Sequence, residues 1–195
     1  MSAPAGTTIH DLNGSWVINK ELSDDMDQAL VMEGVPWLMR KVASWATITY
    51  KNTHIKDGNG CTVLTVAKSA TGGIPGETQV HTLDGVEHVY ESILFGNRRV
   101  ETRWLDLRSK DPISGVVRRE DLDPYLSQDL LDQEAGDSPG HIWAAVTNER
   151  SGMRGEQVWG FELIAGKRYH VNRMVLRKGE ERVALRIVFD WAGNQ

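Results

Sequence analysis

The sequence predicts an all-β fold: about ten antiparallel strands in an up-and-down barrel, with a helix-turn-helix lid between strands 1 and 2. Three observations predict it. Short runs rich in β-branched residues alternate with period two through most of the chain, glycine-containing turns join them in order, and one stretch of helical period interrupts them early. Closing such a set of strands removes the edges that an open sheet of that size would expose.

Strand 1 is expected within 9–19, around Gly14-Ser15-Trp16-Val17-Ile18. The lid is expected over 23–44. Ser23 followed by Asp24, Asp25 and Asp27 places a side-chain cap and carboxylates at a helix start, and Met26, Ala29 and Leu30 continue a 3.6-residue stripe to Gly34. Pro36 opens a second helix carried by Trp37, Leu38, Lys41, Val42 and Trp45. From there the period is two over 45–107. Ala46, Ile48 and Tyr50 alternate with Thr47, Thr49 and Lys51, and Asp57-Gly58-Asn59-Gly60 turns the chain into 61–66. Further strands are expected over 77–83, 86–94 and 98–107, with 71–76 as the turn before the first of them. An acidic, proline-containing excursion follows over 108–140, with a short helix near 126–131. The last strands fall within 141–191, at 141–149, 156–164, 167–177 and 182–191. The whole of 1–195 reads as one barrel domain.

Composition excludes several functions. With 27 acidic against 22 basic residues the formal charge is -5, and the paired cations Arg98-Arg99, Arg118-Arg119 and Lys167-Arg168 are scattered, so no nucleic-acid partner is expected. No apolar run reaches the roughly 20 residues of a membrane helix. The start is small and polar without a secretory pattern, and the single cysteine, Cys61, fits a reducing compartment, so a cytoplasmic location is expected. Cys61, within a β-branched strand, reads as a buried small hydrophobe. The six histidines show no zinc-type spacing with cysteine, 71–76 lacks the ending of a phosphate loop, and no Gly-x-Ser-x-Gly elbow is present. Neither a metal nor a cofactor is expected. Oligomeric state is left open.

The strand, helix pair and nine strands, the Gly-x-Trp at Gly14-Ser15-Trp16 and the segment Gly34-Val35-Pro36-Trp37-Leu38-Met39-Arg40-Lys41 together resemble the intracellular fatty-acid-binding proteins of the lipocalin (calycin) group. The chain is also similar to small lipocalin-like proteins of filamentous fungi. The resemblance implies a ligand in the barrel interior, Trp16 packed across the closed end, and an arginine on the last strand at Arg186. Val188 stands where that family commonly places a tyrosine, so the resemblance does not carry over fatty-acid capture by an Arg-x-Tyr pair.

Tryptophan outnumbers phenylalanine seven to three, which suits the wall of a site for a flat, partly polar molecule. The candidate ligand-binding residues are Trp37 and Met39 on the lid, with Tyr50, Tyr90, Trp104, Trp143, Trp159, Tyr169 and Arg186 on the strands. His81, Glu101 and Arg103 are candidate catalytic residues, because they fall on consecutive strands with His88 and Glu91 and burial would shift their ionisation. The inward or outward phase of each strand is open, since a one-residue shift inverts every assignment. The expected function is binding of a small hydrophobic or amphipathic molecule. The alternative is a cofactor-independent cyclase or isomerase, or a lyase, acting on a polyketide or terpenoid intermediate of fungal secondary metabolism. A third reading has a side-chain-filled barrel whose acidic excursion docks a partner protein.

Overall fold

The computed structural model describes residues 1–92, 95–110, 120–131 and 138–194. Its strands are β1 (Gly14–Ile18), β2 (Ile48–Lys56), β3 (Thr62–Ala70), β4 (Ile74–Thr82), β5 (Glu87–Tyr90), β6 (Arg98–Leu105), β7 (His141–Asn148), β8 (Met153–Ile164), β9 (Lys167–Lys178) and β10 (Glu181–Gly193). Its helices are α1 (Asp27–Met32), α2 (Trp37–Trp45) and α3 (Pro124–Ser127). The ten strands form one antiparallel sheet in the order β4-β3-β2-β1-β10-β9-β8-β7-β6-β5. It curls into a nearly closed barrel in which β4 and β5 are the two unpaired edges, bridged where His81 on β4 meets Thr102 on β6 at 3.2 Å. The helix pair lies between β1 and β2, as expected.

Residues 9–13, expected in strand 1, instead plug one end of the barrel. Ile9 and Leu12 are fully buried there with Trp16, whose indole N–H donates to the Leu12 carbonyl at 3.0 Å. Gly14 explains the Gly-x-Trp: at φ 122° it has no Cβ, and one placed there would meet the Trp191 ring at 2.2 Å. That close approach lets Trp191 pack edge-on to Trp16, with ring centroids 4.8 Å apart. The chain start is tied down as well, the terminal amine contacting Asp190 at 2.5 Å.

The lid begins later than its acidic signature suggests. Ser23 does not cap a helix: its hydroxyl accepts from the Val188 N–H at 2.9 Å, while Asp24 accepts from the Arg186 N–H at 2.7 Å. Both residues are spent on stitching the lid's entry to β10, so α1 starts only at Asp27, without a side-chain cap. Gly34 ends it at φ 81°, its N–H bonding the Val31 carbonyl and the Val35 N–H bonding that of Leu30, the reciprocal pair of a Schellman stop.

Three further expectations are corrected. The turn preceding β4 is shorter than 71–76, because β4 already runs from Ile74 through Pro75 and Gly76; an edge strand tolerates a proline whose missing N–H faces no partner. Cys61 is half-buried, in the turn ahead of β3 rather than inside the strand, and burial followed by the Asp57 charge raises its thiol pKa. The helix of the acidic excursion sits at Pro124–Ser127 instead of 126–131, where Asp123 accepts from the Tyr125 N–H and Pro124 occupies the first turn. Residues 93–94 of the expected strand 86–94, and 111–119 and 132–137 of the excursion, lie outside the described residues.

Residues 120–131 of that excursion form a strap folded onto the outer face of the barrel. Leu122 and Leu126 pack with Leu105, Leu107, Trp143, Val158 and Val175 in a second apolar layer. Beneath it, Arg173 pairs with Glu162 at 2.5 Å, their side chains only 3% and 2% exposed, and Arg186 reaches the same carboxylate at 3.0 Å. Tyr125 lies over the Arg173 guanidinium at 4.8 Å and donates its hydroxyl to Asp24 at 3.0 Å. Asp123 also takes Arg177 at 2.5 Å and Arg182 at 2.9 Å. Asp123→Ala is therefore expected to lower stability by about 1 kcal/mol through the lost cap, read as a shift in the urea midpoint at unchanged slope.

Candidate functional site

The barrel encloses a cavity of about 490 Å³ between the lid and the inward faces of β2–β4 and β8–β10. Its walls are chiefly apolar, with Leu64 and Val66 from β3, Met174 and Leu176 from β9, and Ile187 and Phe189 from β10. Met39, Val42, Ala43 and Ala46 of the α2 region roof it. The α2 helix is otherwise open to solvent, Trp37 being 62% and Trp45 87% exposed.

Two buried histidines face this space. His81, 3% exposed, meets the Thr102 hydroxyl through Nδ1 at 3.2 Å and lies edge-on to Trp159 at 4.8 Å, while its Nε2 has no partner. Burial, with the Lys68 charge adding, lowers its pKa to about 3, so the ring is neutral at physiological pH. His170 donates through Nδ1 to the Gly160 carbonyl at 3.1 Å and is boxed by Trp16, Phe161 and Phe189. A carbonyl only accepts, so the proton sits on Nδ1 and Nε2 keeps its lone pair. Burial lowers this pKa to about 4, against the Gly160 hydrogen bond, with Arg168 adding to the lowering.

Carboxamides continue the polar lining. Asn172, opposite Trp159 across the β8–β9 ladder, donates to Gln157 Oε1 at 2.9 Å and leaves its own Oδ1 without a partner. Asn52 Oδ1 on β2 is likewise buried and unpartnered. Nearer the lid, Arg98 is held by Glu33 at 2.9 Å and Glu77 at 3.6 Å and lies over the Phe95 ring at 3.8 Å. Glu33 caps the end of α1, so this pair fastens the lid to β6 and, through Glu77, to β4. Burial and the Asp84 charge raise the Tyr90 pKa, keeping that phenol neutral at the rim.

Of the residues singled out in the sequence, His81, Met39, Tyr50, Tyr90 and Trp159 line the cavity together. The others do not. Trp104 stacks between His10 and His54, at 4.5 and 6.4 Å, by the plugged end. Trp143 is on the outer face, donating to Glu156 at 3.1 Å beneath the strap. Tyr169 is outside with Val171 and Val188, and Arg186 is outside on Glu162. Glu101 and Arg103 occupy the outward phase of β6, paired at 2.5 Å, with Arg103 also donating to the Gly85 carbonyl. Trp37 projects from the lid into solvent. Asn52, Gln157, Asn172, His170 and Arg98 are the lining residues that the sequence reading missed. His170 and Asn172 share a phase with Met174, and that alternation was the signal available for them.

Among the described residues no group of three or more His, Cys, Asp or Glu has the arrangement to hold a metal, and no helix is long and apolar enough to cross a membrane.

A lidded barrel with this strand order around an apolar cavity has the fold of the fatty-acid-binding proteins. Three solved structures share the fold. They are Caenorhabditis elegans lipid binding protein 8 (TM-score 0.56, 13% identity, 96% of this chain and 100% of that one), a mutant of the fluorescent protein UnaG (0.54, 14%, 93% and 96%), and a Schistosoma mansoni fatty acid binding protein in complex with arachidonic acid (0.52, 13%, 96% and 100%). No protein-family model matches the chain. The chain belongs to the family of the fungal protein named pericyclase pydY, from an Acremonium species, with which it is 33% identical over 200 residues, covering 99% of this chain and 98% of that protein. The probable pericyclase scpY of Mollisia scopiformis is 31% identical over 195 residues, covering 100% and 96%.

Proposed function

We propose that this protein is a cofactor-independent pericyclase that folds an apolar, polyene-bearing substrate inside the barrel and promotes its cyclisation. The observation that carries the reading is a neutral His81 with an unpartnered Nε2 in the lining of a chiefly apolar cavity, in a chain related along its whole length to pericyclases. A pericyclic step moves electrons around a closed ring of atoms, so the product is an isomer of the substrate and no net proton is transferred. Such chemistry asks the protein for two things.

The first is conformational restriction. A flexible chain held with its reacting termini about 3–3.5 Å apart no longer loses its freedom at the transition state, which is where effective molarities of about 10⁵ M and above come from. The second is polarisation. In the tautomer whose Nδ1 accepts from the Thr102 hydroxyl, Nε2 of neutral His81 carries the proton and donates to a carbonyl conjugated with the reacting alkene. That bond strengthens as charge shifts toward the oxygen.

A synthetic linear polyene ketone bearing a diene and an activated alkene, incubated with the pure protein, is expected to cyclise faster and to one stereoisomer. His81→Phe is expected to lower kcat by about 10²-fold while KM changes little, the pattern of an interaction made in the transition state. A carrier makes the opposite showing. If the ketone binds but neither its rate nor its stereoisomer ratio changes, simple ligand storage replaces the pericyclase reading.

A further inference from the structure

The Asn172–Gln157 pair points to a head group. Each carboxamide has one acceptor oxygen and one donor amino group, and a single hydrogen bond joins the two at 2.9 Å. Whichever way each amide is turned, that bond consumes one acceptor and one N–H, leaving an acceptor on one side chain beside an amino group on the other. Asn172 is 6% exposed and its Oδ1 is unpartnered, a deficit that a hydrogen bond from a ligand relieves. Asn52 Oδ1 repeats the deficit from β2. Such acceptors call for a ligand that donates.

The surrounding charge narrows the choice. The ionisable side chains facing the cavity are Glu33, Glu77 and Glu91 against Lys68 and Arg98, with both histidines neutral, whereas the Glu156 carboxylate is turned outward to Trp143. Arg98 is already committed to Glu33 and Glu77, and Lys68 lies over the Tyr50 ring at 5.1 Å. A ligand carboxylate offers no proton to the amide oxygens and enters a lining with excess negative charge, whereas a neutral amide meets the pair with both of its faces.

We infer that the cavity recognises its substrate by a neutral secondary or primary amide head group, whose N–H donates to Asn172 while its carbonyl accepts from Gln157, and selects against the free carboxylic acid. The inference rests on the proposed use of the cavity as the substrate site and adds the chemical class of substrate that it takes. Trp159, opposite Asn172 and edge-on to His81, then places the amide at the end of the cavity where His81 acts on the adjoining conjugated chain.

Oleamide, oleic acid and methyl oleate share one apolar chain and differ only in the head, so their affinities near neutral pH, read by displacement of a fluorescent apolar dye, isolate the head-group contribution. Oleamide is expected to bind about tenfold more tightly than the ester, as one additional good hydrogen bond allows, and more tightly than the acid. In Asn172→Leu the amide-to-ester ratio is expected to fall below about twofold while the ester still binds, which also shows that the variant folds; Gln157→Met removes the donor shared by the amide and ester carbonyls and is expected to weaken both ligands alike. Equal affinity of amide and ester for the wild-type protein overturns the inference, because solvent then satisfies the carboxamides. Tightest binding by the acid overturns it in favour of Lys68. If no lipid displaces the dye and the polyene ketone is not turned over either, the proposed site itself fails, an outcome distinct from the other two.

Discussion

Glu162→Leu is expected to lower the unfolding free energy by about 3–5 kcal/mol, the cost of leaving a buried charge without its partner. Glu162 sits between Arg173 and Arg186 under the strap, and Arg173 has almost no access to water. Its other contacts are weak substitutes: Asp129 at 3.6 Å, itself largely solvated, and the Tyr125 carbonyl at 3.4 Å. Removing the carboxylate therefore strands a guanidinium beside the apolar layer formed by Leu126, Trp143 and Val158. The double change Glu162→Leu with Arg173→Met should recover most of the loss, because exchanging a buried pair for apolar groups is often close to neutral. Urea unfolding of the two variants and the parent checks this; a single variant within about 1 kcal/mol of the parent refutes the role given to Glu162.

Acid should weaken the fold well before carboxylates titrate. His81 and His170 have folded pKa values near 3 and 4 against an ordinary 6.5, so below pH 6.5 the unfolded chain binds protons that the folded protein excludes. Stability from these groups is complete above pH 6.5 and is lost as pH falls through that value toward 4 and 3. By about pH 5 each histidine accounts for roughly 2 kcal/mol, about 4 kcal/mol together, at about 1.4 kcal/mol per pH unit. Denaturant unfolding across this range reads it directly. His170→Phe, which keeps an aromatic ring among Trp16, Phe161 and Phe189, is expected to halve the loss; an unchanged pH slope would mean that His170 is protonated in the folded state.

The layout was legible because its signals are local. Alternation in 46–51, the turn at Asp57–Gly60 and the Gly34-Val35-Pro36 break each report on their own neighbourhood, and the barrel with its helix pair follows from their order. The interior was half legible for the same reason. Along β8–β10 consecutive residues are both buried: Val158 with Trp159, His170 with Val171, Val188 with Phe189. One of each pair faces the cavity and the other the strap or the N-terminal segment, so a period-two reading has no polar face to set its phase. Trp143, Tyr169 and Arg186 are misplaced inward by sequence for that reason. The strap was hidden because its charged residues resemble a solvated loop, whereas Asp123 and Asp129 are answered by Arg177, Arg182 and Arg173 on distant strands. Neither Asn172 nor Gln157 carries a sequence motif; what marks them is their mutual hydrogen bond and the unmet acceptor it leaves on Asn172, visible only in three dimensions.

The strap makes the two sides of the barrel unequally packed. Strands β7–β10 are sandwiched between an inner and an outer apolar layer, while β4 and β5 meet solvent on one face and end the sheet without a mutual ladder. The proposed substrate site thus lies between a singly packed wall carrying His81 and a doubly packed one carrying Trp159, Asn172 and Phe189, and the ion pairs of Arg98 with Glu33 and Glu77 join the lid to the singly packed side.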